Sequence, residues 1–580
     1  MSLSQALAAA ISGLRVNQSS LALVAANVAN ADTPGYVRKT ANQVAIAGNE
    51  TGISVNIAGV QRQLDQYVQR QLRVENSGAS YADTRAQIYQ QLQDIFGQPG
   101  GANSLETGYN NFTTALQSLT TSPDDPAARS GVISTAQLLT QQLNQMTSSI
   151  QGLRSEAELG ISDAVIKANE AMKQIAALNQ KIAASSQNDS ATATLEDQRD
   201  AYIDQLSQFM DINVVQGDHN HVSVFTNSGV QLVGTQASQL SFDAQGTVTA
   251  GSQWNADPTK RGVGTIMLTS STGSSIDLIQ NNAIRSGTIA AYLQLRDQDL
   301  VQAQSQLDAI AAGMASALSD ATTAGTAASS GSQNGFDIDV GSLLAGNKIT
   351  VNYTDTATST AHTFSFVRVD DPSALPLSNN ATTDPNDTVV GIDFSGGMSS
   401  VVSQINTALG SAGVAASNPS GTTLEILDDG LGNAVVNSVS STATVTSLSG
   451  GSSELPFFTD GTQYYTGAFT VTGPQSVGLA GRISVNSALI NDPSKLVAYA
   501  SGIAAGDSTR PDFIYHQLTS ASLTFSPATG IGSTASPFSG SITTYLRQVI
   551  TQQGEAADNA NNLKQGQDIV LSSLQQRFND

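Results

Sequence analysis

Apolar or small residues recur at Leu3, Leu7, Ala10, Leu14, Asn17, Leu21, Val24 and Val28, in steps that alternate four and three. This spacing collects one stripe on one face of a helix at the average period of a coiled coil. Asn17 is its one polar member, either fixing register in a buried seam or standing exposed. The stripe stops at Asp32-Thr33-Pro34-Gly35-Tyr36, where Pro34 bars helical geometry at Thr33 and Gly35 tolerates a positive φ. A short helix in water is marginal, because nucleation is costly and only packing of its apolar face stabilises it. Burying each leucine contributes about 2 kcal/mol, against about 1–2 kcal/mol for each ordered backbone residue. Two readings follow. Either the stripe packs on the chain's own domain, or it is covered only when neighbouring subunits arrive.

The 580 residues suffice for several domains, each with its own core. A formal charge of −22 argues against nucleic acid, whose phosphates call for clustered cations. Charged residues make up only 12%, about half of ordinary usage, so the surface is polar but weakly charged and can pack against copies of itself. With no cysteine, disulfides, thiolate metal sites and cysteine nucleophiles are excluded. The first basic residue is Arg15 and the apolar run around Leu7 to Ile11 is diluted by alanine, so a secretory signal is not expected. No stretch has the length of a membrane span. The polar face of residues 2–30 carries one cation, which argues against a membrane-surface helix.

The rest of the chain alternates between helical and strand periods. A second heptad run, Val60, Leu64, Tyr67, Gln71, Val74, Gly78, Tyr81, Arg85, Ile88, Leu92 and Ile95, places Tyr67 and Tyr81 at core positions. Phe112, Leu116 and Leu119 mark a shorter helix. A long one is expected from Ala136 through Leu139, Leu143, Met146, Ile150, Leu153 and Ala157, continuing after a one-residue slip at Ile161, Val165, Ala168, Met172, Ile175 and Ile182. Tyr202, Ile203, Leu206 and Phe209 line another. The expected organisation is a terminal amphipathic helix and connecting loop over 1–60 and a helical bundle over 61–211. A small antiparallel β domain over 212–282 and a returning helix over 283–325 come next. A β-rich insertion over 336–470, an irregular connection over 471–540 and a C-terminal bundle helix over 541–580 complete it. The Gly/Ser/Ala/Thr-rich stretch 321–335 reads as a linker. The fold class is therefore α+β multidomain, a coiled-coil-like bundle with inserted antiparallel β domains.

The segment Ala25-Ala26-Asn27-Val28-Ala29-Asn30-Ala31-Asp32-Thr33-Pro34-Gly35-Tyr36-Val37-Arg38-Lys39 resembles the signature shared by flagellar rod, hook and hook-associated proteins. Pro123-Asp124-Asp125-Pro126-Ala127-Ala128-Arg129, the stretch Leu195 to Leu206, Gly287-Thr288-Ile289 through Leu295-Arg296-Asp297, and Asp492-Pro493-Ser494-Lys495-Leu496 match further segments in the same order. The resemblance covers roughly residues 1–320 and 475–580 and points to the hook-associated branch. It implies a radial plan, with terminal helices innermost, a helical bundle around them and β domains outward. It also implies a structural role at the junction of hook and filament, export unfolded through the flagellar type III system without a cleaved signal, and an extracellular location. The implied partners are copies of itself, the hook protein, a second junction protein on the filament side and an export chaperone, with neither nucleic acid nor membrane. Leu3, Leu7, Leu14, Leu21, Val24 and Val28 would form the assembly interface, while Asn27, Asn30, Thr33, Pro34, Gly35 and Tyr36 set the exit angle of the loop. Relatives continue past the position of Asp580 with a Ser-Gly-Val-Asn-type turn and a final amphipathic helix. The expectation is that this chain is truncated or lacks that helix, which bears on the docking of residues 3–28.

Enzyme chemistry finds little foothold. No G-x-S-x-G elbow, phosphate loop, H-E-x-x-H or dinucleotide fingerprint occurs. His219 and His221 beside Asp218 would share one strand face, but a third metal ligand is lacking. His362 and His516 are isolated. Asp337/Asp339 and Asp384/Asp387 lie in loops where acids cap turns, without an EF-hand pattern. Trp254 reads as packing inside the first β domain. No catalytic residue, cofactor or metal is expected. Outside the hook-associated branch, the remaining alternatives are another axial subunit (hook or rod) and a secreted coiled-coil adhesin with β modules.

Overall fold

A computed structural model describes residues 3–31, 33, 35–48, 52–98, 100–185 and 190–579. Helix α1 (Leu3–Ala29) leads into a hairpin of β1 (Lys39–Gly48) and β2 (Gly52–Arg62), where a connecting loop was expected. The hairpin is antiparallel, with a bulge where Asn42 pairs Gly59 and Gln43 pairs Ile57. Helices α2 (Gln66–Phe96), α3 (Leu105–Thr121), α4 (Pro126–Ala184) and α5 (Ser190–Phe209) follow.

The helix starts obey local chemistry. The carboxylate of Asp65 accepts from the backbone amides of Tyr67 and Val68, that of Asp125 from Ala127, and the Ser104 hydroxyl from Thr107. Pro126 occupies the first turn of α4, where its missing N–H costs nothing. That cap starts the helix ten residues before Ala136, the expected start, and its 59 residues run for about 88 Å. Every residue of its expected stripe, from Leu139 to Ile182, is buried.

The phase expected for α2 fails in its first half. Tyr67 is 69% and Val74 56% exposed, and the buried positions include Val68, Leu72, Arg73 and Asn76. Polar contacts decide this: Arg73 reaches Asp200 and Asp204 of α5, so the face turned inward is the one carrying the arginine. Tyr81 is half-buried and donates to the side-chain carbonyl of Gln294. In the second half Ile88 and Leu92 are buried as expected.

Six short strands cover residues 212–277 as two three-stranded antiparallel sheets. β3 (Ile212–Gln216), β4 (Val222–Thr226) and β5 (Gln231–Val233) form the first; β6 (Gln239–Phe242), β7 (Ile266–Thr269) and β8 (Ser275–Asp277) form the second. Their apolar residues, Val222, Val224, Leu232, Leu240, Ile266 and Leu268, share one core with Ile161–Ile175 of α4 and Ile203 and Leu206 of α5. Trp254 is half-buried there and donates to the Thr265 hydroxyl at 3.2 Å.

Helix α6 (Gly287–Gln294) passes through a π turn, Leu295–Asp299, into α7 (Leu300–Ser319). Residues 321–335, expected as a linker, instead supply strands: β9 (Asp320–Ala324), β10 (Thr326–Ser330) and the start of β11 (Gln333–Asp339). Small and hydroxylated side chains on edge strands carry little apolar alternation, which is why the stretch reads as low complexity. With β12 (Lys348–Asp355), β13 (Thr360–Val369), β14 (Thr388–Asp393), α8 (Gly397–Leu409), β15 (Val414–Ser417), β16 (Thr423–Asp428) and β17 (Ala434–Thr444) they form two sheets, ordered β14-β13-β12-β17-β9 and β10-β11-β16-β15. All pairs are antiparallel except β13 with β14. A separate core, built on Ile349, Val351, Phe366, Ile405, Leu424 and Ile426, holds them together.

The chain then returns to the bundle. Phe457 and Phe458 pack on Phe112 of α3 at ring separations of 5.6 and 5.8 Å. After α9 (Ser487–Asn491) and α10 (Thr509–Thr519), α11 (Ile542–Asn579) runs antiparallel to α2, with Arg547 on Glu106 and Lys564 on Asp83. The molecule is thus α+β and multidomain. Ile542, Leu546, Val549 and Ala560 of α11 are buried, whereas Leu563, Ile569 and Val570 are exposed. No described helix is long and apolar enough to cross a membrane.

Candidate functional site

Helix α1 has two working faces, and the heptad reading named only one. Leu3 is 90% exposed, Leu21 68% and Val28 73%, and Leu7, Leu14 and Val24 are also exposed. Asn17 stands on the same bare side. The other face, Val16 and Leu23, is buried against the β1–β2 hairpin. Polar contacts line up beside these two. The Ser12 hydroxyl accepts from the Val55 amide at 3.2 Å, and the Gln43 side chain donates to the Ser20 hydroxyl at 3.3 Å. The positions 12, 16, 20, 23 and 27 repeat at helical spacing, so the signal was present, though masked by serine and asparagine.

At the helix end the turn is tied by side chains. Asn27 bonds the backbone of Lys39 both ways, its amide donating to the carbonyl at 2.8 Å and its oxygen accepting from the N–H at 3.0 Å. The same oxygen accepts from the Tyr36 hydroxyl at 3.0 Å. Asn30 donates to the Ala26 carbonyl at 2.9 Å and accepts from the Thr33 hydroxyl at 3.3 Å. Gly35 takes φ +78°, which L side chains rarely adopt. Asn27, Asn30, Thr33, Gly35 and Tyr36 are therefore brought together in one turn, and Pro34 lies outside the described residues.

Below the turn lies a network that sequence reasoning missed. Lys39 Nζ sits 2.7 Å from Asp197 and 4.4 Å above the Tyr36 ring. Arg62 reaches Asp197 at 2.8 Å, Asp200 at 2.5 Å and Glu196 at 3.6 Å. Arg73 holds Asp200 at 3.2 Å and Asp204 at 2.7 Å. The acids at 196, 197, 200 and 204 fall on one face of α5, and that spacing was the available signal. Burial alone would raise the Asp200 carboxyl, but Arg62 and Arg73 together hold it below its usual range. Burial pushes Asp197 up against the pull of Lys39 and Arg62. Burial, then Asp197, raises the Tyr36 phenol.

Asp337 and Asp339 lie on strand β11 and not in a loop, and several of the candidates for chemistry are engaged structurally. Asp339 accepts from the Gly341 amide and the Thr422 hydroxyl, Asp384 from the Asn386 amide, and Asp387 from the Ser365 hydroxyl. His221 Nε2 lies 3.2 Å from the Gly234 carbonyl, and the His219 side chain lies outside the described residues. Among the described residues no group of three or more His, Cys, Asp or Glu could hold a metal. A groove of about 1040 Å³ between α3 and α4 has Asp94 as the sole titratable group among its lining residues.

Two family models match the chain. The basal-body rod protein model covers residues 7–36, spanning α1 and its turn, and the helical domain of the flagellar hook-associated protein FlgK covers residues 89–338. Over these stretches the chain is similar to flagellar hook-associated proteins. Flagellar hook-associated protein 1 of Salmonella typhimurium is 29% identical over 329 residues, 54% of this chain and 56% of the relative. Its Bacillus subtilis counterpart is 29% identical over 215 residues, 35% and 42% of the two chains. The chain thus spans about half the length of the curated relatives it matches. A solved structure, the flagellar hook junction protein FlgK from Burkholderia pseudomallei, covers 88% of this chain and 99% of its own at 17% identity and a TM-score of 0.45, too loose a likeness to argue from. Hook-associated proteins are structural components of the flagellum, not enzymes.

Proposed function

We propose that this chain is a non-enzymatic structural subunit of the hook–filament junction, and that it joins its neighbours through the outer face of α1. One observation carries the reading: Leu3, Leu7, Leu14, Leu21, Val24 and Val28 are all more than half exposed, on a helix whose opposite face is already covered. A stripe of this length left in water is unfavourable by about 1–2 kcal/mol per large side chain relative to a covered one. Its covering by terminal helices of neighbouring subunits therefore drives assembly. Asn27, Asn30, Thr33, Pro34, Gly35 and Tyr36 set the angle at which α1 leaves the body. The hook protein on one side and a second junction protein on the other are the neighbours that the family suggests, with export unfolded through the flagellar type III system, aided by a chaperone, before assembly outside the cell. A cysteine-free chain with an uncovered terminal helix suits such threading.

The test is incorporation. Leu14→Asp or Leu21→Asp blocks entry into hook–filament junctions while far-ultraviolet circular dichroism and thermal unfolding of the purified chain stay as in the wild type. Incorporation of either variant at the wild-type level would remove the stripe as the docking surface.

A further inference from the structure

The arm formed by α1 and the β1–β2 hairpin is attached to the body in an unusual way. Among the described residues, none of the three apolar cores contains a residue N-terminal to Tyr81. Among the described residues, the large apolar side chains buried within the arm are Val16 and Leu23, which serve α1 and the hairpin, and Val37 at the turn. What crosses from arm to body is charge. The arm brings Lys39 and Arg62; α5 brings Glu196, Asp197 and Asp200. Arg73 of α2 grips Asp200 from the body side, so one carboxylate is shared between a cation of the arm and a cation of the bundle. The Lys39, Arg62, Asp197 and Asp200 side chains are all at most 11% exposed, so solvent screens these pairs weakly. Asp204, held by Arg73, and Arg199, which donates to Asn179 at 3.1 Å, complete the charged surroundings.

We propose that Lys39, Arg62 and Asp200 are positioning residues: they form an ionic clasp that sets the direction of the α1 arm relative to the helical bundle. Removing one partner leaves the remaining buried charge without its counter-charge, which strongly disfavours the closed contact between arm and body. The arm then keeps its internal packing and swings, because Val37 is the one large apolar side chain buried at the turn among the described residues. The inference does not depend on what α1 docks against.

The absence of native cysteine allows the test in the full chain. Spin labels on Ala22→Cys in α1 and Gln205→Cys in α5, both exposed positions, report the distance between arm and body. The clasped protein gives a single narrow distance peak. Arg62→Gln loses that peak to a broad distribution, Arg62→Lys keeps it centred at the same distance, and the thermal transition of the bundle is unmoved in both. Lys39→Met, which removes the ammonium held by Asp197 and Thr194 of α5, broadens it as well. A peak as narrow in Arg62→Gln and Lys39→Met as in the parent overturns the clasp. So does loss of the bundle's thermal transition in both variants, since the network would then be part of the body's own core.

Discussion

Single residues in this chain carry obligations that composition does not reveal. Gly287, at the start of α6, has φ +85°, and a Cβ there would come within 2.5 Å of the Phe209 backbone. Gly287→Ala therefore costs about 1–3 kcal/mol, from backbone strain and the displaced α5 end, measurable as a lower urea midpoint. Asp308 is buried on α7 and accepts from the Gly478 amide at 2.7 Å, the Ala480 amide at 2.9 Å and the Gln304 side chain at 3.0 Å, and it interacts electrostatically with Arg482 and Tyr465. Burial outweighs those bonds and pushes its carboxyl from 3.8 up to about 6. A folded value above the unfolded one means that the native state binds the proton more readily. The contribution is thus full below 3.8 and lost as the pH rises through about 6. Stability measured by urea denaturation at pH 4.5 and 7.5 should differ between the wild type and Asp308→Asn by up to about 2 kcal/mol, the wild type gaining on acidification. An identical pH dependence in both would assign the proton elsewhere.

Elements differ in how plainly their sequence declares them. In α3 and α4 the neighbours are apolar, so the residues that repeat are the residues that are buried, and Phe112, Leu116, Leu119 and the run from Leu139 to Ile182 could be read directly. Leu116→Ala, at a fully buried position facing the bundle core, should cost about 2–5 kcal/mol in thermal or urea unfolding. The first half of α2 misleads because its inward face is chosen by Arg73 and its acids, not by Tyr67 and Val74. The strands at 320–330 escape notice because alanine, threonine and serine fill them and their order comes from pairing with distant partners. The hairpin at 39–62, by contrast, carries a period-two signal in Val44/Ile46 and Ile53/Val55/Ile57 that the heptad reading passed over. In α1 the apolar stripe was legible and its burial was not, since the same spacing serves a packed helix and a bare one. The inner face, carried by Ser12, Val16, Ser20, Leu23 and Asn27, could be seen only once the hairpin was in place.

At the scale of the whole molecule, three apolar cores hold the body together, and an arm stands outside them. This division predicts that the stability of the isolated chain and its capacity to assemble respond to different substitutions. A change on the outer face of α1, such as Leu14→Asp, should alter the unfolding free energy by no more than about 0.5 kcal/mol, as surface substitutions generally do, while abolishing assembly. Core changes such as Leu116→Ala should do the reverse at temperatures where the variant remains folded. The measurement that bears most directly on the docking claim places a photoreactive side chain at Leu21 and irradiates both the dilute chain and purified hook–filament junctions. The account predicts adducts between chains in the junctions and none between distant parts of the same chain in dilute solution. Adducts confined within single chains, in the junction as in dilution, would contradict it.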